Sequence, residues 1–190
     1  TKTKCSRIVH AFLGEGLECI ACNPAFLPYI SFPTKVGAII RDVPLLDHDY
    51  NLDIDGIVKN INDNTRVIWL CSPNNPTGTY LSKNELNEFI LKLPKRILLV
   101  IDAAYAEYVR KKDYTSGENL VRKNKNVIMT RTFSKIYGLA GQRLGWAYCS
   151  KYVADIFNKV RLPFNINMIA IEAGVIAMKD KNFYVKSVKH

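Results

Sequence analysis

The sequence lacks an apolar run long enough to cross a bilayer. Its longest weakly charged stretch, Ile166 to Met178, falls short of the ~20 residues that a spanning helix needs and carries Asn167 and Glu172. A secretory leader is not expected either, because Thr1 to Gly16 has basic residues but no continuous apolar segment before a small-residue cleavage site. Together these features predict a cytoplasmic chain with no membrane partner. No Gly-x-Gly-x-x-Gly follows the first strand-like run, which removes the usual dinucleotide fingerprint. Cys19-Ile20-Ala21-Cys22 has no second close ligand pair, so the five cysteines are read as buried free thiols rather than a zinc ribbon or a disulfide frame. No metal is expected.

Acidic residues are few, 17 against 27 Lys plus Arg, for a net charge of +10. A basic balance can mark a nucleic-acid partner, yet no basic block interleaved with aromatics is present. The longest unbroken basic run is Arg110-Lys111-Lys112, and the abundance of Lys, Asn and Ile matches A/T-rich coding. No nucleic acid is expected. What the chain does have is a globular composition, 48% hydrophobic and 23% charged over 190 residues. A chain of that length buries roughly 70% of its unfolded surface and holds a core without disulfide staples.

Short runs rich in Val, Ile and Leu alternate with segments of helical periodicity, which predicts an α/β fold: a central, mostly parallel sheet with helices on both faces. The expected strands are Glu18 to Cys22, Gly37 to Val43, Arg66 to Cys71, Ile97 to Asp102, Asn126 to Thr130 and Gly145 to Ser150. Helices are expected at Phe26 to Lys35, Asp53 to Asn62, Ser82 to Leu93, Ser116 to Asn124 and Lys151 to Arg161, with one long helical pattern from Asn167 to Ser187. Ser82-Lys83-Asn84-Glu85 is a capping box, a hydroxyl and a carboxylate three apart that satisfy free N–H groups at a helix start.

In a parallel α/β sheet, ligands gather beyond the carboxyl ends of the strands. Three such ends carry polar groups: Ser72-Pro73-Asn74-Asn75-Pro76-Thr77-Gly78, Asp102-Ala103-Ala104-Tyr105, and Arg131-Thr132-Phe133-Ser134-Lys135. An amide, a carboxylate, a phenol, hydroxyls and an amine would face one crevice. That set suits a pyridine cofactor bearing an aldehyde and a phosphate. With Gly138-Leu139-Ala140-Gly141-Gln142-Arg143-Leu144-Gly145, these motifs resemble the fold-type I pyridoxal-phosphate enzymes of aminotransferase class I/II, in particular the histidinol-phosphate aminotransferase group. The resemblance covers nearly the whole chain.

The resemblance implies pyridoxal 5'-phosphate as cofactor, with Lys135 as the amine that bonds its aldehyde and moves the substrate's Cα proton. It implies Asp102 at the pyridine nitrogen, Asn75 and Tyr105 on the phenolic oxygen, Arg143, Thr132 and Ser134 on the phosphate, and Phe26 stacked on the ring. Gly138 and Gly141 are expected to allow tight turns after Lys135. The implied reaction moves an amino group between an amino acid or amino-alcohol phosphate and a 2-oxo acid, in a homodimer when full-length. A phospho-threonine decarboxylase shares these motifs, and an inactive fragment that keeps the fold is the remaining alternative.

Two departures from the family are visible. Ala103 stands where the family often has Glu, and Thr1 to Lys4 does not contain the Gly-Ser/Ala-Asp-Glu turn expected there. The family's N-terminal arm and C-terminal small domain are expected to be missing, leaving 1–165 as part of the cofactor-binding large domain and 166–190 as a helix leading toward the small one.

Overall fold

The computed structural model describes residues 2–189. A single six-stranded sheet runs through it, in the order β2-β1-β3-β4-β5-β6. The strands are β1 (Glu18–Asn23), β2 (Ile39–Pro44), β3 (Thr65–Cys71), β4 (Leu98–Asp102), β5 (Val127–Thr132) and β6 (Gly145–Tyr148). All pair in parallel except β5 with β6. The expected class is therefore the observed one, and each predicted strand forms within a few residues of its expected bounds.

Alternation along each strand divides the core in two. Ile20, Ile68, Leu70, Leu99, Ile101 and Met129 face one layer, together with Ile57 of α3 (Ile54–Lys59), Phe89 of α4 (Lys83–Lys92) and Leu120 of α5 (Glu118–Lys123). Cys19, Val67, Trp69, Val100 and Ile128 face the other, beneath α1 (Lys2–Phe12), α2 (Pro28–Thr34) and α6 (Lys151–Val160). Burying both faces explains why the strands read as continuous apolar runs rather than alternating ones. Cys19 and Cys22 lie in opposite layers, so the paired spacing does not bring their thiols together. The capping box forms as expected: Ser82 Oγ accepts from the Glu85 amide and Glu85 Oε2 accepts from the Ser82 amide.

Helix α1 was not among the expected elements, although Cys5, Ile8 and Val9 sit at helical spacing and are all buried against the sheet. Lys2 to Lys4 form its first turn, and Thr1 lies outside the described residues. The single long helix expected from Asn167 to Ser187 is two, α7 (Met168–Lys179) and α8 (Lys181–Lys189). They part at Asp180, whose carboxylate accepts from the Phe183 amide and so starts a new first turn. Among the described residues, no helix is long and apolar enough to cross a membrane.

At the lower end of the sheet, Glu18 is 3% exposed and receives two bonds from Arg41, at 2.8 and 2.9 Å, and one from Asn62 at 2.7 Å. The Arg41 bonds, opposed by burial and aided by Asn62, hold its carboxyl below the usual glutamate range. A depressed carboxylate stabilises the fold at neutral pH and loses that contribution as pH falls through its folded value. Glu18→Gln is therefore expected to lower Tm at pH 7, with the gap from wild type narrowing below about pH 4. Thermal melts at both pH values check this, and an unchanged gap in acid contradicts it.

Candidate functional site

The parallel registers align the upper strand ends. Cys71 pairs with Asp102 and Asp102 with Thr130, so three side chains of the same sheet face stand in a row beneath the loops. The ladder continues one step upward, with the Ser72 amide bonded to Asp102 O and the Ala103 amide to Thr130 O. Above this row lies a cavity of about 220 Å³. Its wall contains Phe26, Asn75, Asp102, Tyr105, Ser134, Lys135 and Arg143. The fold thus gathers seven of the eight candidate residues in one place.

Thr132 stands apart. It is 2% exposed, and its Oγ1 accepts from the Ser134 amide at 3.1 Å, so it shapes the turn under the cavity instead of lining it. Gly138 has φ of +67°, where an L side chain is strained, and a Cβ there would fall 2.9 Å from the Phe183 ring of α8. The expectation for Gly141 is not met: nothing lies within 4 Å of its added Cβ, and the left-handed residue near it is Arg143, at φ +58°. Arg143 also donates to Ala140 O, closing that turn.

The loops are braced from behind. Asn74 is buried, its amide and carbonyl close a turn with Thr79 and Gly78, and its side chain donates to Pro24 O and Thr77 Oγ1. That brace leaves the neighbouring Asn75 half-buried in the wall. Tyr105 precedes a 3-10 turn, Ala106–Tyr108, whose Glu107 makes a half-buried 2.8 Å ion pair with Arg131 of β5. The pair ties the loop carrying Tyr105 to the strand that leads into Lys135. Lys135 Nζ lies 5.0 Å from the Tyr105 ring centre. Ala103 is fully buried in the core layer of Ile101 and Phe89 and does not line the cavity, so its departure from the family pattern does not touch the site.

Tyr29, also in the wall, was not among the candidates. Its Oη donates to Asp102 Oδ2 at 2.7 Å, and Thr130 Oγ1 donates to Oδ1 at 2.9 Å. The available signal was helical spacing, since Tyr29 follows Phe26 by one turn and their rings meet edge to face at 5.6 Å. Burial pushes the Cys71 thiol up to about 12, and Asp102 adds to the effect. That thiol is a neutral wall group, not a nucleophile.

Comparison with known proteins adds to this geometry. The model of the family described as aminotransferase class I and II matches residues 5–190. The chain belongs to that family. A histidinol-phosphate aminotransferase from Maricaulis maris is 46% identical over 180 residues, covering 95% of this chain and 49% of its own length. One from Rhodospirillum centenum is 43% identical with the same coverage. The crystal structure of histidinol-phosphate aminotransferase from Sinorhizobium meliloti in complex with pyridoxal-5'-phosphate superposes with a TM-score of 0.90 at 26% identity, covering 97% of this chain and 50% of that one. The chain spans about half the length of the curated relatives it matches.

Close to the row of strand ends, the partly buried Lys4 amine donates to Trp146 O at 3.3 Å. Burial lowers its ammonium from 10.5 to about 8, with Asp102 opposing and Arg131 assisting. A lysine whose folded value is lowered penalises the fold while both states are charged, below pH 8, and the penalty fades as pH rises to 10.5. Lys4→Met is accordingly expected to stabilise the chain at pH 7 by roughly 1–3 kcal/mol and to lose that gain above pH 10 or so. Urea titrations across this range check it; a gain independent of pH contradicts the assignment.

Proposed function

We propose that this chain forms the cofactor-binding part of a pyridoxal 5'-phosphate-dependent aminotransferase of the histidinol-phosphate type. The observation that carries the reading is the convergence of Lys135, Asp102, Asn75, Tyr105, Ser134 and Arg143 on one cavity, from the ends of three neighbouring strands. The donor set fits the cofactor: a buried carboxylate at the base, amide and phenol donors on one wall, and a cation and hydroxyl on the other. When bound, pyridoxal 5'-phosphate supplies an aldehyde that takes up a substrate amine and a protonated ring that draws in the electrons released at the substrate Cα.

The residues divide the remaining work. Asp102 would accept a hydrogen bond from the ring N–H and, by its negative charge, keep that nitrogen protonated. Asn75 and Tyr105 donate to the phenolic oxygen. Arg143 and Ser134 anchor the phosphate, the guanidinium through charge-assisted hydrogen bonds, while Thr132 acts indirectly by fixing the Ser134 amide. Phe26 covers one ring face. Lys135 would bond the aldehyde and, once a substrate amine has replaced it, hold and move the proton at the substrate Cα, which needs its amine free of competing hydrogen bonds. The same residues would serve the return half of the reaction, in which the amino group passes to a 2-oxo acid.

The partners in this reading are an amino donor and an oxo acceptor, in a cytoplasmic homodimer. Met168, Ile169, Ile176 and Met178 of α7 are 63 to 79% exposed, an apolar face of the kind that dimers and neighbouring domains cover. Residues 166–190 would form the connection toward a small domain.

The test joins this chain to the flanking segments of a full-length relative and assays amino transfer from L-histidinol phosphate to 2-oxoglutarate. Turnover that vanishes in Lys135→Ala is expected. The 190-residue chain alone is expected to turn over at least about a hundredfold more slowly, because substrate orientation is worth on the order of 7 to 11 kcal/mol and part of it lies in those segments. Carbon dioxide release from O-phosphothreonine without amino transfer would point to the decarboxylase instead, and no chemistry in the joined protein would mark an inactive copy.

A further inference from the structure

The carboxylate of Asp102 is 3% exposed, and neither of its oxygens is free to choose its orientation. Tyr29 Oη holds Oδ2 at 2.7 Å and Thr130 Oγ1 holds Oδ1 at 2.9 Å. Tyr29 is itself 1% exposed, and its ring stacks on Trp69 at 5.1 Å with an interplanar angle of 14°. The phenol is pinned between an aromatic plane and a carboxylate. Burial, and then the negative charge of Asp102, push its pKa well above the ordinary tyrosine value, so it stays a donor throughout the working pH range. Its one hydrogen goes to Asp102.

A carboxylate oxygen offers two in-plane acceptor directions, of which each hydroxyl takes one. Donors on opposite oxygens stop rotation about the Cβ–Cγ bond and leave the remaining directions fixed in space. Asp102 and Tyr29 both border the cavity, so an unused acceptor direction is available to a group bound there. We propose that Tyr29 is a positioning residue that aims Asp102 at a ring N–H in the cavity, so that the chain selects a protonated heterocycle over a ring of the same shape without that nitrogen. The inference rests on the cofactor reading above and extends it to a residue that touches the carboxylate from behind. Thr130 shares the task from the other oxygen.

The experiment measures dissociation constants of pyridoxal 5'-phosphate and of its 1-deaza analogue, which has carbon in place of the ring nitrogen, for the 190-residue chain. A hydrogen bond to a charged group is worth enough for wild type to prefer the natural cofactor by roughly tenfold or more. Tyr29→Phe keeps the ring and removes the donor, and is expected to cut that preference by about threefold or more, the weight of one neutral donor. Thr130→Val is expected to act in the same direction and serves if the tyrosine variant does not fold. Trp69→Phe disturbs the stack but leaves the hydroxyl, and should lower both affinities together or neither. An undiminished preference in Tyr29→Phe, or in Thr130→Val where that variant stands in, overturns the positioning role. Absence of any preference in wild type, with Asp102→Asn behaving the same, overturns the cofactor reading itself.

Discussion

The site depends on the parallel register of three central strands. Because β3, β4 and β5 end at one level, Cys71, Asp102 and Thr130 form a row on one sheet face, and the loops that follow open over the same spot. A slip of one residue would turn Asp102 into the layer that holds Ile101 and would leave a carboxylate among Phe89 and Leu120. Burying an unpaired charge there costs several kcal/mol, so the register that makes the site is also the one the core permits.

Rigidity decreases from the base of the cavity to its rim. Asp102 has donors on both oxygens, Asn74 braces the turn that carries Asn75, and the Glu107–Arg131 pair ties the Tyr105 loop to β5. Lys135 and Arg143 are exposed at the rim. Under the proposed function, the braced groups at the base would orient the cofactor ring, and the exposed Lys135 and Arg143 would meet the proton and the phosphate. This arrangement suits chemistry in which one amine both bonds the cofactor and carries a proton.

Much of this was legible in the sequence, because buried parallel strands have an unmistakable apolar pattern and the polar residues that end them mark the crevice. Lys135, Asp102 and Asn75 stood out as chemistry at strand ends. Tyr29 did not, since a tyrosine one turn after Phe26 looks like core until the fold brings Asp102 beneath it. Helix α1 was obscured by its lysines, although Ile8 and Val9 carry its packing. The break at Asp180 turns on one side chain capping three residues ahead, which apolar periodicity does not register. Thr132 matched a motif position on the same strand face as Thr130, but its hydroxyl is taken up by the Ser134 amide in the turn that follows β5, a local bond the motif does not register.

Covalent capture of the cofactor by one particular amine tests the central claim most directly. The 190-residue chain, or its joined form, is mixed with pyridoxal 5'-phosphate, reduced with borohydride, digested and mapped by mass spectrometry. The adduct is predicted on Lys135 and absent from Lys135→Ala. An adduct on Lys4 or another lysine in both proteins, or no adduct on the joined form, would contradict the account.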